Sequence, residues 1–188
     1  LYIMVNKVEK RSLEQVNVLE DNIVEGYALK FNKESRDLGG FIEVIDKRAL
    51  DNADLSDVRC FLDHDSSKLL GRTKSGTLEL SVDDVGLHFR CSLPNTTAGR
   101  DALELVKRGD LSQCSFMFTT DETGTTWDKG DVYKRTVTSI KEIFEVSLVS
   151  IPAYDDTDVS VAKRALEDVK HELDKDKLLI QLYILSMQ

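Results

Sequence analysis

Residues 76–93 carry the pattern that most limits what this chain can fold into. Gly76-Thr77-Leu78-Glu79-Leu80-Ser81-Val82 alternates apolar with polar residues, Asp83-Asp84-Val85-Gly86 supplies turn formers, and Leu87-His88-Phe89-Arg90-Cys91-Ser92-Leu93 alternates again. Successive side chains of a strand point to opposite faces, so two such runs joined by a short turn predict an antiparallel pair with one buried face. Short runs rich in β-branched and aromatic residues recur at 22–31, 41–45, 58–62, 68–72, 115–120, 132–137 and 140–150, mostly bounded by Gly, Asp or Asn.

Helical signals are fewer. Asp46 reads as the cap of a brief helix to about Asn52. Asn95 or Thr97 caps a second helix carrying Ala102, Leu103, Leu105 and Val106, which Lys107-Arg108 complement at its end and Gly109 stops. Residues around Trp127 read as a loop. From about Val159 the pattern turns helical, with Val161, Ala165, Leu166, Val169, Leu173, Leu178, Leu179, Leu182 and Leu185, and an interruption near Asp174-Lys175-Asp176-Lys177. Seven or eight strands grouped ahead of a terminal helix exclude a regular βαβ alternation. The expected class is α+β: a small strand-rich β-barrel flanked by helices over residues 1–160, followed by a C-terminal helical tail over 161–188.

Composition narrows the partners. The chain has 34 acidic against 25 basic residues and a net charge of −9, which disfavours nucleic acid. No apolar run approaches the roughly 18–20 residues that span a membrane. Leu1-Tyr2-Ile3-Met4-Val5 is followed by Asn6-Lys7-Val8-Glu9-Lys10-Arg11 and lacks the order of a secretory signal. Cys60, Cys91 and Cys114 are odd in number with no CxxC spacing, which points to a cytosolic chain without a disulfide framework or zinc site. No cofactor or metal is expected.

Three histidines limit the choice of a base: His64, His88 and His171. Each, read alone, fits an ordinary surface or core residue; His64 stands out because it ends an apolar run between Asp63 and Asp65, where a half-exposed imidazole titrates near neutral pH. Ser115 opens the Ser-Phe-Met-Phe-Thr-Thr run just after Gly109. In a strand it shares a face with Met117, while Cys114, the rival nucleophile, shares that of Phe116 and Phe118. Glu145 interrupts an apolar run, Ile143-Phe144-Glu145-Val146-Ser147-Leu148-Val149. A buried carboxylate there needs a partner; an edge strand with Glu145 in water is the alternative. No Gly-x-Ser-x-Gly elbow is present, which argues against an α/β-hydrolase.

Taken in order, the succession Phe61-Leu62-Asp63-His64-Asp65, Leu70-Gly71-Arg72-Thr73, Asp84-Val85-Gly86-Leu87-His88-Phe89, Gly109-Asp110-Leu111, Cys114-Ser115-Phe116-Met117-Phe118 and Phe144-Glu145-Val146-Ser147-Leu148-Val149-Ser150-Ile151-Pro152-Ala153-Tyr154 resembles the prohead (capsid maturation) serine proteases of tailed bacteriophages. That family is similar in fold to the herpesvirus assemblins, a strand-rich barrel surrounded by helices. The resemblance implies Ser115 as nucleophile, His64 as general base and Glu145 as the orienting acid. Herpesvirus enzymes use a second histidine after the serine, for which only His171 is available here. Met117 stands where many relatives have glycine; the oxyanion donors are left open between Arg72 or Arg135 and backbone amides. The resemblance further implies the scaffold segment of the major capsid protein as substrate, self-cleavage, a homodimer, and action inside the assembling procapsid in the host cytoplasm. A catalytically inactive relative, binding capsid subunits or a second copy through its helical tail, is the alternative.

Overall fold

The computed structural model describes residues 7–14, 16–20, 22–150 and 160–186. Twelve strands are present among them: β1 (Lys7–Glu14), β2 (Val16–Glu20), β3 (Ile23–Lys30), β4 (Phe41–Ile45), β5 (Arg59–Leu62), β6 (Asp65–Arg72), β7 (Leu78–Val82), β8 (Gly86–Ser92), β9 (Gln113–Thr120), β10 (Thr125–Lys129), β11 (Tyr133–Val137) and β12 (Glu142–Val149). Two α-helices join them, α1 (Thr97–Arg108) and α2 (Ser160–Ser186). The class is α+β, but the strands form three sheets rather than one closed barrel: β1-β9-β12-β5-β6, β2-β3-β8-β7 and β10-β11-β4. The first sheet is mixed, with β12 antiparallel to β9 and parallel to β5. No described helix is long and apolar enough to cross a membrane.

The hairpin expected over 76–93 is β7–β8, in register from Leu78↔Cys91 to Val82↔Leu87. Asp83 closes it: its carboxylate accepts the backbone N–H groups of Val85 and Gly86 at 2.7 and 2.9 Å. Gly86 is required because a Cβ there would lie 1.9 Å from the Leu29 carbonyl oxygen, where β8 runs against β3. Backbone cannot yield as a side chain can, so Gly86→Ala is expected to cost about 3 kcal/mol, seen as a lower urea midpoint at unchanged m.

The first two sheets share a core in which Val24, Leu29, Leu87 and Phe89 from one meet Cys60, Phe116, Phe118, Val146 and Leu148 from the other, with Ala102 and Val106 of α1 closing one end. Thr96, between the two caps expected, is the N-cap of α1 and its hydroxyl accepts from Gly99 N; Gly109, at φ 81°, ends the helix as anticipated. Leu38, Phe41, Ala162 and Leu166 form a second cluster, so the first turns of α2 pack on the three-stranded sheet. Residues 174–181 of α2 are exposed.

Several expectations are corrected. Residues 46–52 form turns, not a helix, because the Asp46 carboxylate accepts from Arg48 N at 2.9 Å and closes a local loop. Trp127 lies in strand β10, opposite Arg135. Helix α2 continues unbroken through residues 174–177, an exposed stretch where Lys177 lies 3.8 Å from Asp174. Strands β1 and β2 lie in a stretch for which no element was predicted. The expected close of β12 at residues 151–154 and the acidic turn at 155–158 lie outside the described residues, as do the side chains of Leu182 and Leu185.

Candidate active site

Strand β9 holds Ser115 between two neighbours. In register, Ser115 faces Ser12 of β1 on one side and Ser147 of β12 on the other. Residues directly opposite across a ladder point to the same face, so Ser115 and Ser147 stand side by side, on the face away from the Phe116 and Phe118 core. Ser115 is fully buried, and its Oγ has no hydrogen-bond partner among the described residues.

On β12 the register shifts between Ile143 and Glu145, leaving Phe144 as the extra residue. A bulge of this kind bends its strand and re-aims the side chain that follows. Glu145 consequently faces the same side as Ser147, two residues on. It lies in the middle strand of five and is 8% exposed, so the edge-strand alternative fails.

His64 comes from the two-residue connection of the β5–β6 hairpin, closed by the Leu62↔Asp65 pair. Asp63 and His64 have φ of 50° and 60°. Left-handed backbone at both central residues suits the right-handed twist of the flanking strands; Asp is an ordinary choice at the first, but the second, held by His64, normally takes Gly. Contacts from β12 and from Ser150 just after it hold it here. Asp63 N donates to the Leu148 carbonyl at 2.8 Å, and the Asp63 carboxylate accepts from Ser150 N at 2.8 Å and Ser150 Oγ at 3.0 Å. Strained residues that survive because their surroundings over-determine them concentrate at functional sites.

The turn delivers His64 Nδ1 to Glu145 Oε1, to which it is hydrogen-bonded. Ser147 Oγ donates to the same oxygen at 2.6 Å. Burial pushes the Glu145 carboxyl upward, but the bonds from His64 and Ser147 outweigh it and the group lies below the usual carboxylate value. His64 Nε2, the other ring nitrogen, is buried and has no hydrogen-bond partner among the described residues, so it is not bonded to Ser115 Oγ. The structure thus joins His64 to Glu145 directly, and reaches Ser115 through the register of β9 on β12.

A sequence model of the caudovirus prohead serine protease family matches residues 6–172. The chain belongs to that family. Among curated proteins and solved structures, none matches it. Membership makes this prohead protease a serine protease of bacteriophage capsid maturation.

Among the described residues, the remaining sequence candidates make no hydrogen bond to the His64–Glu145 pair. Cys114 is fully buried on the core face, and burial pushes its thiol far above the range in which a thiolate forms at neutral pH. His88 faces Tyr27, ring centroids 5.2 Å apart, and lies 3.7 Å from Glu25; His171 is exposed on α2. Arg135, a candidate oxyanion donor, is instead committed to Glu9 and Glu43 within the core. Arg72 makes a two-point ion pair with Asp57 at 2.6 and 2.7 Å. Met117, opposite Glu145, is partly buried on the face that Ser115 occupies. The partners missed from sequence are Ser147 and Asp63. Glu-Val-Ser spacing on a strand was the available signal for the first, since alternate residues share a face.

Proposed function

We propose that this family member is the endopeptidase that cleaves the scaffold segment of the phage major capsid protein, and itself, inside the assembling procapsid, with Ser115 as nucleophile, His64 as general base and Glu145 as the orienting acid. Residues 1–160 are the protease domain, with 161–188 a helical tail whose first turns dock on it. One observation supports the assignment above the others. Three buried side-chain polar atoms have no partner among the described residues, and two of them are Ser115 Oγ and His64 Nε2. Such atoms are rare in folded proteins and call for an explanation. These two are the atoms between which a proton has to pass.

In this reading His64 Nε2 takes the Ser115 proton as Oγ attacks the scissile carbonyl. Glu145, ionised and hydrogen-bonded at Nδ1, fixes the tautomer and stabilises the imidazolium, and the proton then goes to the leaving amine. The test is co-expression with the capsid protein of the same genome, followed by intact mass of both chains. Shortened capsid protein from the wild type, but not from His64→Ala, supports the assignment; equal shortening by both rejects it. A homodimer is part of the proposal, and sedimentation at varied concentration reads it directly.

A second reading has its own observation. Leu178, Leu179 and Ile180 of α2 are 58%, 63% and 59% exposed, an unusual apolar surface for a purely catalytic chain. An inactive relative that binds capsid subunits through this tail accounts for it. A fluorophosphonate probe separates the two, because it labels Ser115 only if that hydroxyl is activated.

A further inference from the structure

We propose that Ser147 is a positioning residue of this protease, whose hydroxyl holds the Glu145 carboxylate in the plane from which it aligns His64. The inference rests on the assignment of Ser115, His64 and Glu145 given above. Ser147 is fully buried, and its Oγ donates to Glu145 Oε1 at 2.6 Å. That oxygen also receives His64 Nδ1, so one carboxylate oxygen joins the hydroxyl and the imidazole.

The need for such a contact follows from the glutamate side chain. Its terminal torsion is a soft sp³–sp² bond with broad minima, and rotation about it sweeps both oxygens through a wide arc. A hydrogen bond from the imidazole alone lets ring and carboxylate rotate together. A second donor, fixed to the same strand two residues along, removes that freedom. Strand geometry makes it possible: alternate residues share a face and stand close enough for a glutamate leaning along the strand to reach a serine. The β-bulge at Phe144 sets the face that Glu145 presents, and Ser147 sets its rotation.

Ser147 is the rival nucleophile, since it stands opposite Ser115 in the ladder. Its hydroxyl is bonded to the carboxylate, whose basicity the same bonds reduce. A carboxylate held below its usual value is a poor proton acceptor at neutral pH, whereas an imidazole is well matched.

Isosteric substitutions test the idea. Ser147→Thr keeps a hydroxyl and Ser147→Val has the same shape without one, so overpacking affects both alike. The readouts are the second-order rate of inactivation by a fluorophosphonate probe between pH 5 and 9, and capsid-protein cleavage. Ser147→Val is expected to react about 10- to 100-fold more slowly than Ser147→Thr, a share of the roughly 10²–10⁴ that general base catalysis supplies. Its acid limb is expected to move to higher pH, because a carboxylate that has lost a donor is more basic and favours the protonated form of the imidazole bonded to it. The smaller Ser147→Ala is expected to repeat both effects. Rates within about twofold for the Thr and Val variants, or a loss without movement of the acid limb in Val and Ala, overturn the proposal. If Ser115→Ala abolishes labelling while Thr and Val behave alike, only this inference fails. If Ser115→Ala still labels, at Ser147, the nucleophile assignment fails with it.

Discussion

Ser115→Ala is expected to leave the co-expressed capsid protein at its full intact mass, a fall in cleavage rate of about 10⁴-fold or more. Removal of a triad nucleophile in serine proteases costs that much, because what survives is binding and oxyanion stabilisation without a covalent step. The substitution removes one oxygen from a fully buried position where it has no hydrogen-bond partner among the described residues. No satisfied interaction is lost, so stability is expected to be unchanged within about 0.5 kcal/mol, or slightly improved. Loss of cleavage with an unchanged melting curve identifies a chemical role. His64→Ala is expected to be equally inert, and the double variant no worse than either single one, since members of a triad act as a unit. Additive losses, or residual processing by Ser115→Ala, would place the chemistry elsewhere.

Arg135→Met is expected to cost about 3–5 kcal/mol of stability, or roughly 10 °C in Tm, with little left to explain by cavity or shape. Arg135, Arg11, Glu9 and Glu43 form a buried network: Arg135 contacts Glu9 at 2.5 and 2.8 Å and Glu43 at 2.8 Å, while Arg11 meets Glu43 at 2.5 and 2.8 Å and Glu9 at 2.8 Å. All four residues are less than 9% exposed. Two cations balance two anions, so loss of one cation strands a negative charge in the core. The decisive comparison is Glu9→Met with Arg135→Met. That double variant restores neutrality around the Arg11–Glu43 pair and is expected to be more stable than Arg135→Met alone. The network also sets a pH dependence. Burial pushes the Glu9 carboxyl up, but Arg135 and Arg11 outweigh it and hold it below its usual 4.5. A lowered folded value means stability that is complete above about pH 4.5 and lost as pH falls through the lowered value. Acid unfolding steeper in the wild type than in the double variant is the expected result.

This network also explains which part of the fold the sequence hides. Where one face of a strand is apolar, as in Leu78-Glu79-Leu80 or Leu87-His88-Phe89, alternation marks it, and β7 and β8 lie within a residue or two of expectation. In Lys7–Glu14 the core-facing positions include Glu9 and Arg11. Ion pairs stand there in place of hydrocarbon, so a hydrophobic period cannot report β1. Its partners Glu43 and Arg135 are 32 or more residues away in the chain, a distance no local pattern spans. The site divides in the same way. Of the candidate residues, His64 and Glu145 stood out as polar residues set against apolar runs, and Ser115 as a residue of a strand that follows a glycine stop, although β9 begins two residues earlier than expected, at Gln113. The Phe144 bulge, the left-handed turn at Asp63 and His64, and the clamp from Asp63 to Ser150 depend on pairing between distant strands. The closed barrel expected from strand count failed for a related reason: counting strands does not say where a sheet ends, and three open sheets accommodate the same order.

Strand β9 is paired along its length, to β1 over Lys7–Glu14 and to β12 over Glu142–Val149. Two consequences follow for how a peptide is handled. A peptide brought to Ser115 cannot extend the sheet beside it, because both lateral positions are taken, so it has to arrive across the face of the sheet and be recognised through side chains or another edge. The amides flanking Ser115 are likewise spent on their neighbours in the ladder. For attack by Ser115, as proposed, stabilisation of the negative charge that develops on the carbonyl oxygen therefore has to come from outside β9.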